Sequence, residues 1–215
     1  MPVKSDREYR SMTLEVIPEV REEGAPEEEK MIVSGYASTF NEPYTLYEGD
    51  DLIYSEVVDA RAFDNTDMAD VIMQYDHAGR VFARTSNNTL KVSTDERGLL
   101  IEADLGGTEL GRQLYEEIRG GYTNKMSFGF TVNGEDQSRE RAADGRVLVT
   151  RTITSVRKLY DVSAVSIPAN DATSISVRNL TDGEIEKIRA ERLEAEKLEL
   201  RRRKLLARAK LNGGQ

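Results

Sequence analysis

Short segments in which apolar and polar residues alternate recur between Met31 and about Asn179, and no other feature of the sequence constrains the fold as strongly. Alternation of this kind is typical of half-buried strands, and turn signals such as Ala143-Asp144-Gly145 separate the segments. The segments predicted to be strands are MIVSGYASTF (31–40), LIYSEVV (52–58), MADVIMQY (68–75), TLKVSTD (89–95), GLLIEADL (98–105), MSFGFTV (126–132), RVLVTRTI (146–153) and DVSAVSI (161–167). The pattern predicts a mainly β domain over residues 31–179.

One segment within this region has the periodicity of a helix. In TELGRQLYEEIRGG, Leu110, Leu114 and Ile118 recur every four residues, and Gly120-Gly121 is a helix stop signal. Many short strands with one embedded helix are typical of an α+β fold in which helices pack on a barrel or a sandwich.

The last section of the chain, residues 180–215, is predicted to be one long, charged, amphipathic helix. It has no Gly or Pro between Gly183 and Gly213, and Thr181 is a candidate N-cap with Glu184 at the capping-box distance. Its apolar stripe is imperfect and too thin to be buried alone, so a partner or self-association is expected. The alternative is that the helix lies on the chain's own β domain.

Residues 1–30 are predicted to hold an N-terminal strand followed by an acidic, flexible segment. The segment EVREEGAPEEEK (19–30) contains Gly24 and Pro26 and is dense in Glu. A solubilising link accounts for this composition without any further role. The chain therefore has three predicted regions, with the β domain between the acidic segment and the helix.

The composition excludes several classes of site and partner. The 215 residues include no Cys and one His, which excludes disulfides, Cys-ligated metals and multi-histidine metal sites, so no cofactor or metal is expected. The net charge of −9 argues against binding nucleic acid through its phosphates. No apolar run is long enough to span a membrane, and MPVKSDREYR is no signal peptide, so a soluble cytosolic protein without a membrane partner is expected.

His77 is a candidate for chemistry because it is the only imidazole in the chain. It lies in VIMQYDHAGR, where a strand-like run ends in turn-forming residues, and a strand end can hold a side chain rigidly at the rim of a cleft. Imidazole is the side chain whose unperturbed pKa suits general-base work near neutral pH. A surface position or a structural hydrogen bond is the alternative interpretation.

Ser127 is the hydroxyl that stands out, in the segment NKMSFGF. In an alternating strand Ser127 and Gly129 share one face, whereas Met126, Phe128 and Phe130 share the apolar face. A small hydroxyl beside a glycine would leave room for the backbone of a substrate. The alternative is an ordinary strand serine that faces water.

Asp161 begins the last predicted strand, in the segment YDVSAVSIPAN. A carboxylate among apolar strand residues must be paired or solvated, because an unpaired buried charge is costly. Asp161 either orients a histidine or pairs with Arg157 or Lys158, and the sequence pattern leaves both interpretations open.

Five segments in a fixed order carry a family resemblance. They are SGYASTFN, EVVDARAF, QYDHAGRVFART, NKMSFGFTV and LYDVSAVSIPANDATSISV. Each is weak alone, but together they resemble the prohead (capsid-maturation) serine proteases of tailed bacteriophages, relatives of the herpesvirus assemblin peptidases. The resemblance covers about residues 12–179.

The resemblance implies a closed β-barrel of the herpesvirus-protease type with surrounding helices, and a serine endopeptidase with a Ser–His pair completed by an acid. By position, Ser127 matches the nucleophile, His77 the base and Asp161 the third member, where the family often has Glu. The implied substrates are the scaffolding part of the major capsid protein and the protease itself, inside the assembling prohead in the host cytoplasm. The helix from about Thr181 would dock the enzyme there or mediate self-association.

The alternative function is a non-catalytic internal scaffold or assembly protein that binds capsid subunits through its C-terminal helix. Geometry separates the two hypotheses, because a protease requires the His77 imidazole within about 2.6–3.2 Å of Ser127 Oγ, or slightly farther in a ligand-free form. A metal-dependent hydrolase does not fit a chain with one His and no Cys.

Overall fold

The computed structural model of the chain describes residues 7–12, 17–18, 31–166 and 175–212. The chain divides into two compact units, Met1–Val177 and Arg178–Gln215. In chain order the elements are β1 (Glu8–Met12), β2 (Ile17–Pro18), β3 (Ile32–Thr39), β4 (Tyr44–Glu48), β5 (Leu52–Val58), β6 (Ile72–Tyr75), β7 (Ala78–Arg84), β8 (Leu90–Thr94), β9 (Gly98–Asp104), α1 (Glu109–Arg119), β10 (Lys125–Arg141), β11 (Val147–Val165) and α2 (Ile175–Asn212). The fold is mainly β with helices, as the sequence predicts.

The strands form a seven-stranded and a four-stranded sheet. The larger has the order β1-β10-β11-β5-β4, and β6 pairs with β11 and also with β7. The smaller has the order β2-β3-β9-β8. Within residues 7–12, 17–18 and 31–166, no strand pairing closes either sheet or joins the two, so the closed barrel stays a prediction.

The long β10–β11 hairpin is the centre of the larger sheet. Strand β11 is 19 residues long, and it pairs in parallel with β5 over Val147–Ile153 and with β6 over Asp161–Ala164. The two strands predicted at 146–153 and 161–167 are therefore one strand. Register shifts between Gly129 and Glu135 allow β10 to follow β11 along this length.

The two sheets share one hydrophobic core. Met126, Phe128 and Phe130 on β10 are at most 1 % exposed, and Phe128 stacks on Phe130 with ring centroids 4.6 Å apart. They belong to the same cluster as Val33 on β3 and Ile101 on β9, which lie in the smaller sheet. The predicted apolar face of the Ser127 segment is confirmed, and this packing fixes which way Ser127 points.

Helix α1 is confirmed with the predicted stop. Thr108 is its N-cap, and the Thr108 Oγ1 atom accepts a hydrogen bond from the Gly111 N–H at 3.0 Å. Leu114 and Ile118 are buried, whereas Leu110 is 38 % exposed at the first turn.

Two strands of the larger sheet are absent from the predicted set. Strand β4 is short, and β7 presents mostly exposed side chains, so neither has a clear alternating pattern. Both form by pairing with a neighbour, β4 with β5 and β7 with β6. The polar end of β10, from Asn133 to Arg141, is likewise a strand because it pairs with β11.

A buried ion cluster fixes β1 to the larger sheet. Arg10 donates to Glu56 and Glu8, each at 2.5 Å, and Arg151 donates to Glu8 at 2.6 Å and to Glu56 at 2.7 Å. The Tyr44 hydroxyl also donates to Glu56, whose side chain is fully buried. These five side chains are named the ion cluster below.

The ion cluster keeps its charges because each is paired. Burial alone disfavours the charge on Arg10, but the charge and hydrogen bond of Glu56, together with Tyr44 and Glu8, outweigh it and hold the Arg10 pKa above its ordinary value. Burial also disfavours the Glu8 carboxylate, yet the hydrogen bond and charge of Arg151 and the charge of Arg10 lower its pKa. Burial and the neighbouring Glu56 charge raise the pKa of Tyr44, which therefore stays neutral.

The second unit contains most of α2. The helix begins at Ile175, so the prediction of Thr181 as its N-cap is wrong, because the preceding residues contain no Gly or Pro and continue the helix. Exposed side chains on it include Leu193, Leu198 and Leu205, and Arg203 pairs with Glu199 one turn away. None of the helices in the described residues combines the length and apolarity needed to cross a membrane. The acidic segment 19–30 lies outside the described residues.

Candidate active site

His77 lies in a two-residue turn between β6 and β7. Tyr75 pairs with Ala78, and the two residues between them have positive φ, 48° at Asp76 and 56° at His77. Two successive left-handed residues are the geometry of a type I′ hairpin turn, which Asp and His tolerate better than most side chains. The sequence signal of a strand that ends in turn-forming residues is therefore borne out.

The turn is fixed to the end of β11 by Asp76. The Asp76 N–H donates to the Ala164 carbonyl at 3.0 Å, and the Asp76 carboxylate accepts from the backbone N–H and the hydroxyl of Ser166, each at 3.0 Å. Because β6 pairs in parallel with β11 up to Tyr75, the imidazole that follows is held over the β10–β11 pair.

Ser127 and Asp161 lie on neighbouring strands of the same sheet. In the β10–β11 register, Ser127 pairs with Ser163 and Gly129 pairs with Asp161. The alternation of side chains along β10 gives Ser127 the face opposite to the core, together with Gly129. The paired strands thus bring the hydroxyl and the carboxylate close together.

The structure brings the three predicted residues into contact. The His77 Nδ1 atom is hydrogen-bonded to Asp161 Oδ1, and the His77 Nε2 atom lies 2.5 Å from Ser127 Oγ. The predicted proximity of imidazole and hydroxyl is met. The alternative partners of Asp161 are engaged elsewhere: Lys158 pairs with Asp67 at 2.6 Å and Arg157 donates to Thr131 Oγ1.

All three groups are largely removed from solvent. Ser127 is 0 % exposed, Asp161 is 2 % exposed, and the His77 side chain retains 17 % of its surface. The interpretation of Ser127 as a strand serine that faces water is therefore wrong. The buried Asp161 charge is compensated by hydrogen bonds from His77 and from the Ser163 hydroxyl, the latter at 3.2 Å.

Gly129 is required by the carboxylate beside it. A Cβ atom at this position would overlap the Asp161 carboxylate and would come within 2.8 Å of the Tyr9 ring. The space next to Gly129 was expected to admit a substrate backbone, and that expectation is wrong, because Asp161 and Tyr9 fill it. The glycine instead allows Asp161 to reach His77.

Strand β1 contributes two contacts that the sequence did not predict. The Tyr9 ring packs on the His77 ring with centroids 4.4 Å apart, and Ser127 Oγ donates to the Arg10 carbonyl at 2.9 Å. Both depend on the pairing of β1 with β10, more than a hundred residues later in the chain, and no local pattern signals it.

The Ser127 hydroxyl has one proton and two acceptors. When Nδ1 carries the only imidazole proton, Nε2 is free to accept the Ser127 proton. When the ring is doubly protonated, Nε2 donates to Ser127 Oγ, and the hydroxyl donates its own hydrogen bond to the Arg10 carbonyl. The site therefore accommodates the imidazole in both of its charge states.

Ser163 is the other side chain that the sequence analysis missed. Its hydroxyl lies 3.2 Å from His77 Nδ1 and 3.2 Å from Asp161 Oδ1. A signal was available, because Ser163 follows Asp161 by two residues and alternation gives both residues the same face of β11.

A hydroxyl, an imidazole and a carboxylate in this order are the constellation of a serine hydrolase. Within the described residues, no three His, Asp or Glu side chains converge in an arrangement that would hold a metal ion. The chemistry that this geometry supports is nucleophilic acyl transfer by a serine.

The family comparison agrees with this class. The family model of the caudovirus prohead serine protease matches residues 18–188, so the chain belongs to that family and is a serine protease of capsid maturation. Among solved structures, the capsid assembly protease of bacteriophage T4 is similar at 12 % identity, with 75 % of this chain and 99 % of that chain covered and a TM-score of 0.36. A search of curated proteins finds no significant match.

Proposed function

We propose that this protease cleaves the scaffolding part of the major capsid protein, and itself, inside the assembling prohead in the host cytoplasm. Family membership supports the setting, and the contacts of the single imidazole support the chemistry. The observation that carries the proposal is that both ring nitrogens of His77 are engaged, one by a hydroxyl and the other by a carboxylate.

In the proposed mechanism, Ser127 Oγ attacks the scissile carbonyl while His77 Nε2 removes the hydroxyl proton. His77 then donates that proton to the leaving amine. In the second half of the reaction, water attacks the acyl-enzyme while His77 removes a proton from the water, and His77 returns that proton to Ser127 Oγ as the acyl group leaves. Asp161 accepts the Nδ1–H, which keeps Nε2 free in the neutral ring and stabilises the imidazolium that forms. General-base assistance of this type contributes about 10²–10⁴-fold.

The full burial of Ser127 implies a further condition for activity. A substrate carbonyl must come within about 3–3.5 Å of the nucleophile, and Ser127 is 0 % exposed. We infer that neighbouring groups move before cleavage, which fits a protease that is inactive until assembly.

The predicted barrel and the predicted role of the helix belong to the same proposal. A core shared by two sheets supports a barrel-like enclosure of the protease domain, assigned to residues 31–179 with the strand of residues 1–30 added to its sheet. The exposed leucines on α2 support docking or self-association through the region 180–215.

Co-expression with the capsid protein tests the proposed function. Wild type is expected to release the scaffolding part, and Ser127→Ala is expected to leave the precursor intact. Ser155→Ala is the matched control, because Ser155 is a half-buried serine on β11 whose hydroxyl accepts a hydrogen bond from Asn133 at 3.4 Å. Equal processing by wild type and Ser127→Ala would refute the assignment of Ser127 as the nucleophile.

A further inference from the structure

The hydroxyl of Ser163 is a buried polar group that the proposed mechanism does not use. Ser163 is 0 % exposed and lies on β11, directly opposite Ser127 in the register of the β10–β11 pair. It is therefore next to the nucleophile on the same sheet, and its environment is shared with His77 and Asp161.

Its two contacts are complementary in donor and acceptor character. Ser163 Oγ donates to Asp161 Oδ1 at 3.2 Å, and the same oxygen lies 3.2 Å from His77 Nδ1. A hydroxyl has one proton and two lone pairs, so it can donate to the carboxylate and accept from Nδ1–H at the same time. The Nδ1 proton thus faces two acceptors, Asp161 Oδ1 and Ser163 Oγ. Asp161 Oδ1 in turn accepts a second hydrogen bond from the Ser163 hydroxyl.

We propose that Ser163 is a positioning residue that holds His77 in the tautomer with the proton on Nδ1. The proposal rests on the proposed function, because that tautomer leaves Nε2 free to take the proton of Ser127. A ring with its proton on Nε2 has no lone pair toward Ser127 and cannot act as the general base. Ser163 acts through Asp161 and His77, and it does not touch the substrate.

The restraints on Asp161 support this role. Gly129 lies against the carboxylate on the side of Oδ2, since a Cβ at residue 129 would meet that atom. The Ser163 hydroxyl holds the opposite oxygen, Oδ1, which is the one that contacts His77. Without Ser163, Asp161 Oδ1 would lose its second donor and His77 Nδ1 its second oxygen neighbour.

The experiment compares Ser163→Ala, Ser163→Thr and the control Ser155→Ala in hydrolysis of a capsid-derived peptide and in ¹⁵N NMR of the labelled ring. Because His77 is the only histidine, its two ring nitrogens are assigned without further variants. Ser163→Ala is expected to lower kcat about tenfold or more with little change in KM, because one hydrogen bond to a charged group is lost. Its neutral ring is expected to show a raised fraction of the Nε2–H tautomer.

Ser163→Thr keeps the hydroxyl and is expected to restore most of kcat and the wild-type tautomer, whereas Ser155→Ala is expected to match wild type in both measurements. If Ser163→Ala does not fold, Ser163→Cys replaces it, since a thiol is a weaker donor of similar size and is expected to give an intermediate loss with the same tautomer change. A variant without the hydroxyl that retains both kcat and the wild-type tautomer would overturn the proposal.

The tautomer measurement does not depend on catalysis. If the wild-type enzyme showed no Ser127-dependent hydrolysis, the proposed function would fail, and the ¹⁵N comparison would still decide the role of Ser163. A normal tautomer with lowered kcat in Ser163→Ala would also overturn the proposal, because the loss would then have another origin.

Discussion

Two polar clusters lie on the same seven-stranded sheet, and they differ in what their protons are able to do. In the ion cluster every charge is held by an opposite charge, and the pKa values of Arg10, Arg151 and Glu8 are displaced so that the charges persist. In the proposed catalytic cluster, which consists of His77, Asp161 and Ser127, the imidazole lies between the carboxylate and the hydroxyl, and the hydroxyl has two alternative acceptors.

Burial therefore accompanies two different roles: the ion cluster connects strands of the sheet, whereas under the proposed function the proposed catalytic cluster carries out the reaction. In the ion cluster each charged group is engaged by an opposite charge, and these pairs connect β1 with β5 and β11. A neutral imidazole whose Nε2 atom carries no proton can accept one, so it can act as a general base. Strand β1 links the clusters, because the Arg10 side chain belongs to the first and the Arg10 carbonyl accepts from Ser127 in the second.

The largest expected effect comes from breaking the ion cluster. Glu56→Gln removes the charge of one of the two carboxylates that Arg10 and Arg151 share, the fully buried one, and we expect a loss of about 3–5 kcal/mol in the free energy of unfolding. Urea denaturation followed by circular dichroism measures it. Glu102→Gln is the control, because its pair with Lys91 is exposed and such pairs contribute about 0–1 kcal/mol. Equal losses in the two variants would show that burial does not strengthen the ion cluster.

Gly129→Ala breaks the proposed catalytic cluster instead. The added methyl group would displace the Asp161 carboxylate, and a displacement of about 1 Å in such a site can lower kcat about 10²-fold. Gly134→Ala is a matched control on the same strand, where the nearest atom to the added Cβ is Thr154 Oγ1 at 3.1 Å, the end of a side chain. Peptide hydrolysis measures both, and full activity in Gly129→Ala would contradict the assigned position of Asp161.

A smaller effect is expected from pH. The Glu8 pKa is lowered below its ordinary value of 4.5, so the stability that its charge contributes is present above that value and is lost as the pH falls through the lowered pKa. The difference in unfolding free energy between wild type and Glu8→Gln is therefore expected to be constant near neutral pH and to shrink on acidification below about 4.5. A difference that stays the same in acid would mean that the Glu8 charge contributes nothing.

The local sequence pattern was sufficient to predict the strands and helices that bury one face. Strand β5 and helix α1 follow the predicted periodicity closely, and the packing of Phe128 and Phe130 fixes the direction of Ser127 as expected. The polar end of β10 could not be predicted in this way, because its side chains are mostly exposed and pairing alone makes it a strand. A single continuous β11 could have been predicted from the sequence, since residues 154–160 contain no Gly or Pro to interrupt a strand.

Contacts between segments that are distant in the sequence could not be predicted from local sequence patterns. The pairing of β1 with β10 brings Tyr9 to His77 and Arg10 to Glu56, and many other registers satisfy the same alternation. The three candidate site residues were selected through the family resemblance, because each had an ordinary structural interpretation as well. Their convergence depends on β6 and β10 both lying beside β11.

Covalent labelling identifies the nucleophilic serine of the protease. Proheads from cells that co-express the capsid protein are treated with a fluorophosphonate, and tryptic peptides are read by tandem mass spectrometry. We expect a phosphonate adduct on Ser127 within the peptide Met126–Arg139, and its loss in His77→Ala. An adduct on Ser138 of the same peptide would refute Ser127 as the nucleophile, and equal labelling of Ser127 in His77→Ala would refute His77 as its base.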